Sequence, residues 1–457
     1  PKIEKWNSSS NRLPSQSQSI KELRKGNAVV KKAIFLRFWP SMDTETRSWA
    51  KRKWTDFEGF VEGVIYDRDL SVSARLFGLF LRPFSYLFSA IVRLRLFLYS
   101  HRLLFKDRPL DCLVLVVGNL TVGGTGKTPV VERFTKELMA KGKKVAILSR
   151  GYKSKEEPRQ PLWRRILRGG DEAPPKIVSD GEAVLLDSEE AGDEPYMLAM
   201  NLPGAVVLAD KDRVKAGRFA IQRFESDVLI LDDGFQYLPI KGTLNLLLVD
   251  QTNPFGNRCL LPRGILREPV RHISRASYVF LTKSEIEPEL ELLQTIRKYN
   301  RTAEIIRCVH KPKFFKEING DEVKPLNLLH EAYVGVFCGI ASPRGFEQLI
   351  MRMSGELRFR RRFLDHHRYE EEELDRLFLQ AKNAGADVMV TTEKDAVRIP
   401  SNYKSLIPFY YVRMEIEITE GFEDFEEAVA GICFPGRNGD SGPAGSPPGE
   451  ERKSAVV

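Results

Sequence analysis

The run Cys112-Leu113-Val114-Leu115-Val116-Val117 leads directly into Gly118-Asn119-Leu120-Thr121-Val122-Gly123-Gly124-Thr125-Gly126-Lys127-Thr128-Pro129, and the fold is decided at this junction. Six apolar residues in a row, with no polar alternation, describe a strand buried on both faces, as in a parallel sheet. The glycines behind it allow backbone amides to curl around phosphate oxygens, and a helix predicted over 129–141 points its positive N-terminal end at them. Lys127 can then reach β- and γ-phosphates, and the Thr128 hydroxyl can ligate Mg²⁺. Thr121 stands where the usual pattern Gly-x4-Gly-Lys-[Ser/Thr] has its first glycine, and Gly123 and Gly124 supply the flexibility instead. Pro129 is tolerated in the first helical turn, where a missing N–H costs least.

Outward from this loop, short apolar runs recur at 145–148, 206–209, 228–231, 244–249 and 278–281, separated by helix-like stretches. That rhythm predicts a P-loop NTPase-like, doubly wound, mostly parallel α/β sheet over 111–300. The segment 301–325, containing KFFKEINGDEV, reads as a hairpin or linker. A second, smaller α/β lobe is expected over 326–435, with strands at 334–338 and 387–391 and helices at 343–353 and 370–384. The strand at 228–231 ends in Asp232-Asp233-Gly234-Phe235-Gln236, two carboxylates at a sheet's C-terminal edge, where one could hold Mg²⁺ directly or through water. An Asp-Gly turn with a helix-capping Asp is the plainer alternative.

The chain has 457 residues, 42% hydrophobic, with 71 Lys plus Arg against 62 Asp plus Glu, a net charge of +9. This composition excludes wholesale disorder and collagen, and the basic excess favours anionic partners without choosing among them. Five cysteines without a Cys-x-x-Cys pair read as free thiols in a reducing compartment, so a structural zinc site is not expected. Residues 1–41 and 436–457 have the composition of disordered tails. Residue 1 is Pro, so Met42 is a possible initiator, and nothing resembles a signal peptide. Within 42–110, the stretch 73–105 is crowded with Leu and Phe yet carries Arg75, Arg82, Arg93, Arg95 and Arg102, and the net charge over 73–108 is +6. Amphipathic helices lying in a membrane surface are expected here, with Arg at anionic lipid phosphates. The longest apolar stretch, Leu76 to Val92, is broken by Arg82 and Pro83, so no ordinary single span is expected.

The motifs GNLTVGGTGKTP, SRGYK (149–153), AGDEP (191–195), DDGFQ, LLPRGILREP (260–269), DHHRY (365–369) and TTEKDAVR (391–398) occur in the order found in tetraacyldisaccharide 4′-kinase. The chain resembles that family over about 73–430. The resemblance implies transfer of the ATP γ-phosphate to the 4′-hydroxyl of an acylated disaccharide 1-phosphate lipid, in lipid A biosynthesis, by a peripheral enzyme on the cytoplasmic face of a bacterial inner membrane. It implies ATP on Thr121 to Thr128, Asp193 and His366 as a catalytic dyad, and Mg²⁺ near Thr128, Asp232, Asp233 and Glu194. It also implies substrate contacts from Asn119, Arg150, Arg263 and Arg267. Physically, an acceptor alcohol cannot lose its proton early, so a carboxylate steadied by an imidazole suits it. Many relatives read DDGFQH, and this chain has Tyr237 in the last place.

Other readings of the same residues stay open at this point. Asp193-Glu194 before Pro195 could cap a helix, Arg263 and Arg267 could be a solvated loop, and Thr392 to Asp395 could be a cap. A P-loop GTPase or ATPase switch at a membrane surface is the main rival, because Thr282-Lys283-Ser284-Glu285 mimics a guanine-reading motif after a strand. A nucleic-acid module, suggested by RFRRRF at 358–363, is not expected, because charge runs are more often solvated surface.

Overall fold

The computed structural model describes residues 53, 57, 59–101, 108–151, 173–340, 342–354 and 356–433. The expected tails 1–41 and 436–457, Met42, and Arg102, Lys106, Tyr152 and Lys153 lie outside them. The chain divides into two compact units, Pro1–Phe77 and Gly78–Val457. In the first, residues 59–65 are helical and the Arg68 and Asp69 amides both donate to the Gly63 carbonyl.

Helix α1 (Val72–Ser100) runs 29 residues without a break, Pro83 included. It is therefore one helix, where sequence reading expected more than one. By length and composition alone it is apolar enough to cross a membrane. From Gly78 onward its small side chains Gly78, Ser85 and Ser89 are buried, while Leu79, Phe80, Phe84, Leu87, Ile91, Leu94 and Phe97 are exposed. Apolar bulk on the open side is the reverse of an ordinary soluble helix.

The rest is one mixed sheet. Its strands in chain order are β1 (Leu113–Asn119), β2 (Val145–Ser149), β3 (Lys176–Asp180), β4 (Val206–Ala209), β5 (Val228–Leu231), β6 (Leu244–Asp250) and β7 (Tyr278–Thr282). There follow β8 (Glu304–Glu317), β9 (Val323–Lys324), β10 (Tyr333–Cys338), β11 (Glu356–Arg362), β12 (Val388–Thr392) and β13 (Phe409–Glu420). Across the sheet the order is β11-β10-β12-β13-β8-β7-β6-β1-β5-β2-β4-β3, with β9 paired to β8 as a hairpin. Neighbours run parallel except at β3/β4, β8/β9 and the long β8/β13 ladder. Both sets of strands thus belong to one sheet, joined through β8 and β13.

The unbroken apolar character of β1 has its cause here. Val114 and Val116 face one core with Leu148, Leu208 and Ala220, and Leu115 and Val117 face another with Val130, Phe134 and Leu138. Strand residues alternate faces, so a strand covered on both sides has no polar position. Helices α2 (Lys127–Ala140), α3 (Asp193–Asn201), α4 (Arg213–Phe224), α5 (Leu290–Tyr299), α6 (Pro343–Met353), α7 (Glu371–Asn383), α8 (Glu393–Ala396) and α9 (Phe422–Cys433) complete the layers. Phe134 of α2 packs edge-on against Phe425 of α9 at 4.8 Å and Phe280 of β7 at 5.7 Å. The RFRRRF run forms most of edge strand β11, with Arg362 forked onto Glu347 of α6 and Arg358 over the Tyr333 ring.

Candidate active site

β1 lies between β5 and β6, parallel to both, and the loop at its C-terminal end opens into the crevice where such sheets bind ligands. Gly126 adopts φ +80° as it enters α2, a left-handed conformation that glycine takes without strain. A Cβ there would meet the His310 ring of β8 at 2.5 Å. Asn119, fully buried, holds the loop from within. Its amide donates to Thr125 Oγ1 at 2.9 Å and its Oδ1 accepts from Lys127 at 3.5 Å and from Arg267. Thr282 Oγ1 at the end of β7 donates to the Thr125 carbonyl. Val122 is tied by its amide to Ile265, and Thr128 is buried in the first turn of α2.

The two carboxylates at the end of β5 differ sharply. Asp233, at φ +51°, takes both arms of the Arg267 fork at 2.9 and 3.0 Å and stands 3.6 Å from Lys127. Burial works against its charge, but Lys127 and Arg267 outweigh it and hold its carboxyl well below the usual carboxylate range. Asp232 is buried with no ion-pair partner among the described residues, and burial together with the charges of Glu194 and Asp233 pushes its pKa up to about 7. Asp232 Oδ1 and Gln236 Oε1 are both buried without a hydrogen-bond partner, while the Gln236 amide donates to the Asn119 carbonyl.

Such orphaned acceptors fit a cation. Among the described residues no three His, Cys, Asp or Glu side chains converge at metal-ligand spacing. Mg²⁺ in phosphoryl-transfer sites does not need such a cluster: it uses one or two carboxylates and completes its shell with waters and phosphates. Asp232, with its unpartnered Oδ1, and the neighbouring Asp233 are the carboxylates that could meet that lesser requirement. Glu194 is engaged by Lys394 at 2.7 Å, and this cation keeps its carboxyl below the usual range against burial.

Across the crevice, residues 173 positions apart meet. His366 Nδ1 and Asp193 Oδ2 are 2.9 Å apart. Asp193 opens α3 behind Gly192, and His366 sits in the left-handed region at φ +64°, its amide donating to the Gly339 carbonyl behind β10. A non-glycine residue held there stores backbone strain, and such positions cluster at functional sites. Arg398, its side chain fully buried, braces the pair. Its Nε donates to Asp193 Oδ2 at 2.9 Å, its Nη1 donates to the Gly339 carbonyl and to Asp395, and its Nη2 lies 3.2 Å from His366 Nδ1. Arg368 donates to Asp193 Oδ1 at 3.2 Å. Burial raises the Asp193 pKa, but the His366 bond and the Arg398 and Arg368 charges together bring it below the usual value.

The other predicted residues are placed unevenly. Arg267 is committed to Asp233 and to the Thr121 carbonyl. Arg263 is turned toward α1 instead: its backbone amide donates to Ser85, and its side chain packs where a Cβ on Gly78 would lie. Arg150 is exposed just beyond β2. Sequence reasoning missed Arg398 and Arg368, although both lie inside quoted motifs. The guanine-reading mimic is occupied internally, with Lys283 paired to Asp250 and Ser284 bonded to Gln251 and Arg307. Tyr237, in the place of the family His, donates its hydroxyl to Asp212 at 3.2 Å.

Residues 77–431 match the family model of LpxK, the tetraacyldisaccharide-1-P 4′-kinase. The tetraacyldisaccharide 4′-kinase of Geobacter sulfurreducens is 38% identical over 359 residues, covering 78% of this chain and 94% of that protein. That of Halothermothrix orenii is 33% identical, covering 75% and 88%. A crystal structure of LpxK from Aquifex aeolicus, an "apo" form in complex with ATP, superposes with a TM-score of 0.60 at 30% identity, covering 77% of this chain and 97% of that one. A phosphate loop, paired acids and an Asp–His couple, in a chain matched over most of its length, leave one conclusion: the chain belongs to the tetraacyldisaccharide-1-P 4′-kinase family.

Proposed function

We propose that this chain transfers the γ-phosphoryl group of ATP to the 4′-hydroxyl of a tetraacyldisaccharide 1-phosphate, at the cytoplasmic face of a bacterial inner membrane. The observation that carries the mechanism is the 2.9 Å contact between Asp193 and His366, next to Glu194, whose carboxyl feels the charges of Lys127 and Asp233. The amides of 123–128 and Lys127 bind and orient the phosphates. Thr128, Asp232 and Asp233 would hold Mg²⁺, which when bound with the nucleotide neutralises charge on its β- and γ-oxygens. Asn119 and Arg267 keep the loop and Asp233 in register. Asp193 takes the proton of the acceptor hydroxyl, and His366 fixes the carboxylate that receives it. A base with a lowered pKa suits this reaction, because in a loose phosphoryl transition state the nucleophile keeps its proton until late.

The exposed apolar side of α1, with Arg82, Arg93 and Arg95 along it, supports a helix seated in the membrane surface with its cations at anionic lipid phosphates. The decisive experiment supplies ATP, Mg²⁺ and a lipid disaccharide 1-phosphate in detergent micelles. A bis-phosphorylated lipid identified by mass spectrometry is the expected product. ATP turnover independent of the lipid, or protection by GTP in preference to ATP, would replace this reading with a nucleotide switch.

A further inference from the structure

A buried ion network joins the phosphate-loop helix to the dyad wall. Its centre is Arg413 on β13, and the side chains of Arg413, Glu132 and Glu393 are 6%, 4% and 13% exposed. Arg413 Nη1 donates to both carboxylate oxygens of Glu393 at 2.8 Å, and its Nη2 donates to Glu132 Oε2. The Asn201 amide closes the ring, donating to Glu132 Oε1 at 3.0 Å and to Glu393 Oε1 at 2.7 Å. At the rim, Glu415 of β13 takes Lys136 of α2 at 3.0 Å and stands 3.8 Å from Arg413 Nη2. Two carboxylates thus share one guanidinium out of water. Burial raises the Glu393 pKa, and the charge of Glu132 adds to that against the pull of Arg413.

The places of these groups in the chain show what the network ties together. Glu132 lies in the second turn of α2, the helix that Lys127 opens. Asn201 closes α3, the helix that Asp193 opens. Glu393 opens α8, whose next two residues reach the dyad: Lys394 pairs with Glu194, and Asp395 accepts from Arg398, which donates to Asp193. α3 is therefore held at both ends, and both holds pass through α8. Stability alone does not account for this arrangement, because apolar residues of similar volume often replace buried ion networks without loss. What a planar fork adds is direction: it fixes where each carboxylate stands, whereas apolar contacts let packed elements slide. Group transfer is sensitive to such sliding, since a displacement of about 1 Å can cost on the order of 10²-fold in rate.

We propose that Arg413 is a positioning residue for phosphoryl transfer, a strut that locks α2 to α3 and α8 and so sets the phosphates on Lys127 against the carboxylate of Asp193. The role rests on the kinase reading. Two variants loosen the strut while keeping the buried charges tolerable. Arg413→Lys leaves a cation between the acids but cannot fork onto both, and Glu132→Met frees α2 while leaving the Arg413–Glu393 pair balanced. Each is made in the wild-type and the Asp193→Asn backgrounds. Turnover with saturating ATP, Mg²⁺ and a lipid disaccharide 1-phosphate is measured beside ATP affinity by calorimetry, and melting temperature reports that each chain is folded. Should Arg413→Lys not fold, Glu132→Met, which lessens the surplus of buried negative charge, carries the test alone. In the wild-type background each variant lowers turnover by about 10²-fold with ATP affinity unchanged. In the Asp193→Asn background neither lowers turnover further, because the carboxylate that the strut aims is already gone. An equal loss in both backgrounds overturns the proposal, since a general weakening of the packing does not depend on Asp193. So does full turnover in either variant, or ATP affinity that falls in step with turnover. A wild-type chain that binds ATP and phosphorylates no lipid fails before any variant is compared, and that result overturns the kinase reading and this role with it.

Discussion

The two walls of the crevice are built on opposite principles. On the phosphate-loop wall, buried polar atoms stand without partners among the described residues: Asp232 Oδ1 and Gln236 Oε1. On the dyad wall every group is spoken for. Asp193 accepts from His366, Arg368 and Arg398, and Asp395 accepts from Arg398, Tyr369, Thr392 and the Gly339 amide. An unsatisfied buried group is tolerated where a ligand completes it, whereas a satisfied network fixes the geometry of its own members. One wall is made to be filled and the other to stay put.

That contrast can be broken from either side. The largest effect is expected at the wall that receives ligand. Lys127→Met should lower turnover by on the order of 10³-fold, with little change in melting temperature, because Asp233 keeps the Arg267 fork. A large loss of stability would show that Lys127 is structural. Next, Arg398→Met should destabilise the chain by about 3–5 kcal/mol in denaturant unfolding, since it strands two buried carboxylates. A cost below about 1 kcal/mol would mean that the dyad wall does not depend on its own network.

A smaller and pH-dependent effect belongs to His310, whose ring packs on Gly126. Burial, aided by Lys283, lowers its pKa from 6.5 to about 4. The unfolded chain takes up the proton near 6.5 and the folded chain refuses it until about 4, so stability is whole above 6.5 and declines as pH falls through that window. The loss should total at most about 3 kcal/mol and be absent in His310→Gln. An equal slope in the variant would assign the loss to other groups. Smallest of all, Lys394→Met should change stability by about 1 kcal/mol or less, because the Lys394–Glu194 pair is more than one-third exposed.

The wall that receives ligand was legible because its chemistry is local. Gly123 to Thr128 and Asp232-Asp233 are contiguous, each directly behind an apolar strand, and β4 and β5 occupy the residues expected of them. The dyad wall is assembled by the fold from Asp193, His366 and Arg398, and no spacing rule reveals such a meeting; family resemblance named the first two and left Arg398 unmarked. β11 escaped notice because an edge strand can be covered with arginine on a face the core does not need. α1 is one helix rather than several because Pro83 removes only one backbone hydrogen bond from it.

The most direct test is a kinetic comparison of Asp193→Asn, His366→Ala and the double variant, with turnover and ATP affinity measured on the same preparations. The expected result is a fall in turnover of about 10²–10⁴-fold in each single variant, a double variant little worse than the poorer single, and ATP affinity unchanged. Full turnover in both single variants, or ATP affinity falling in step with turnover, would contradict phosphoryl transfer across this crevice by the Asp193–His366 pair.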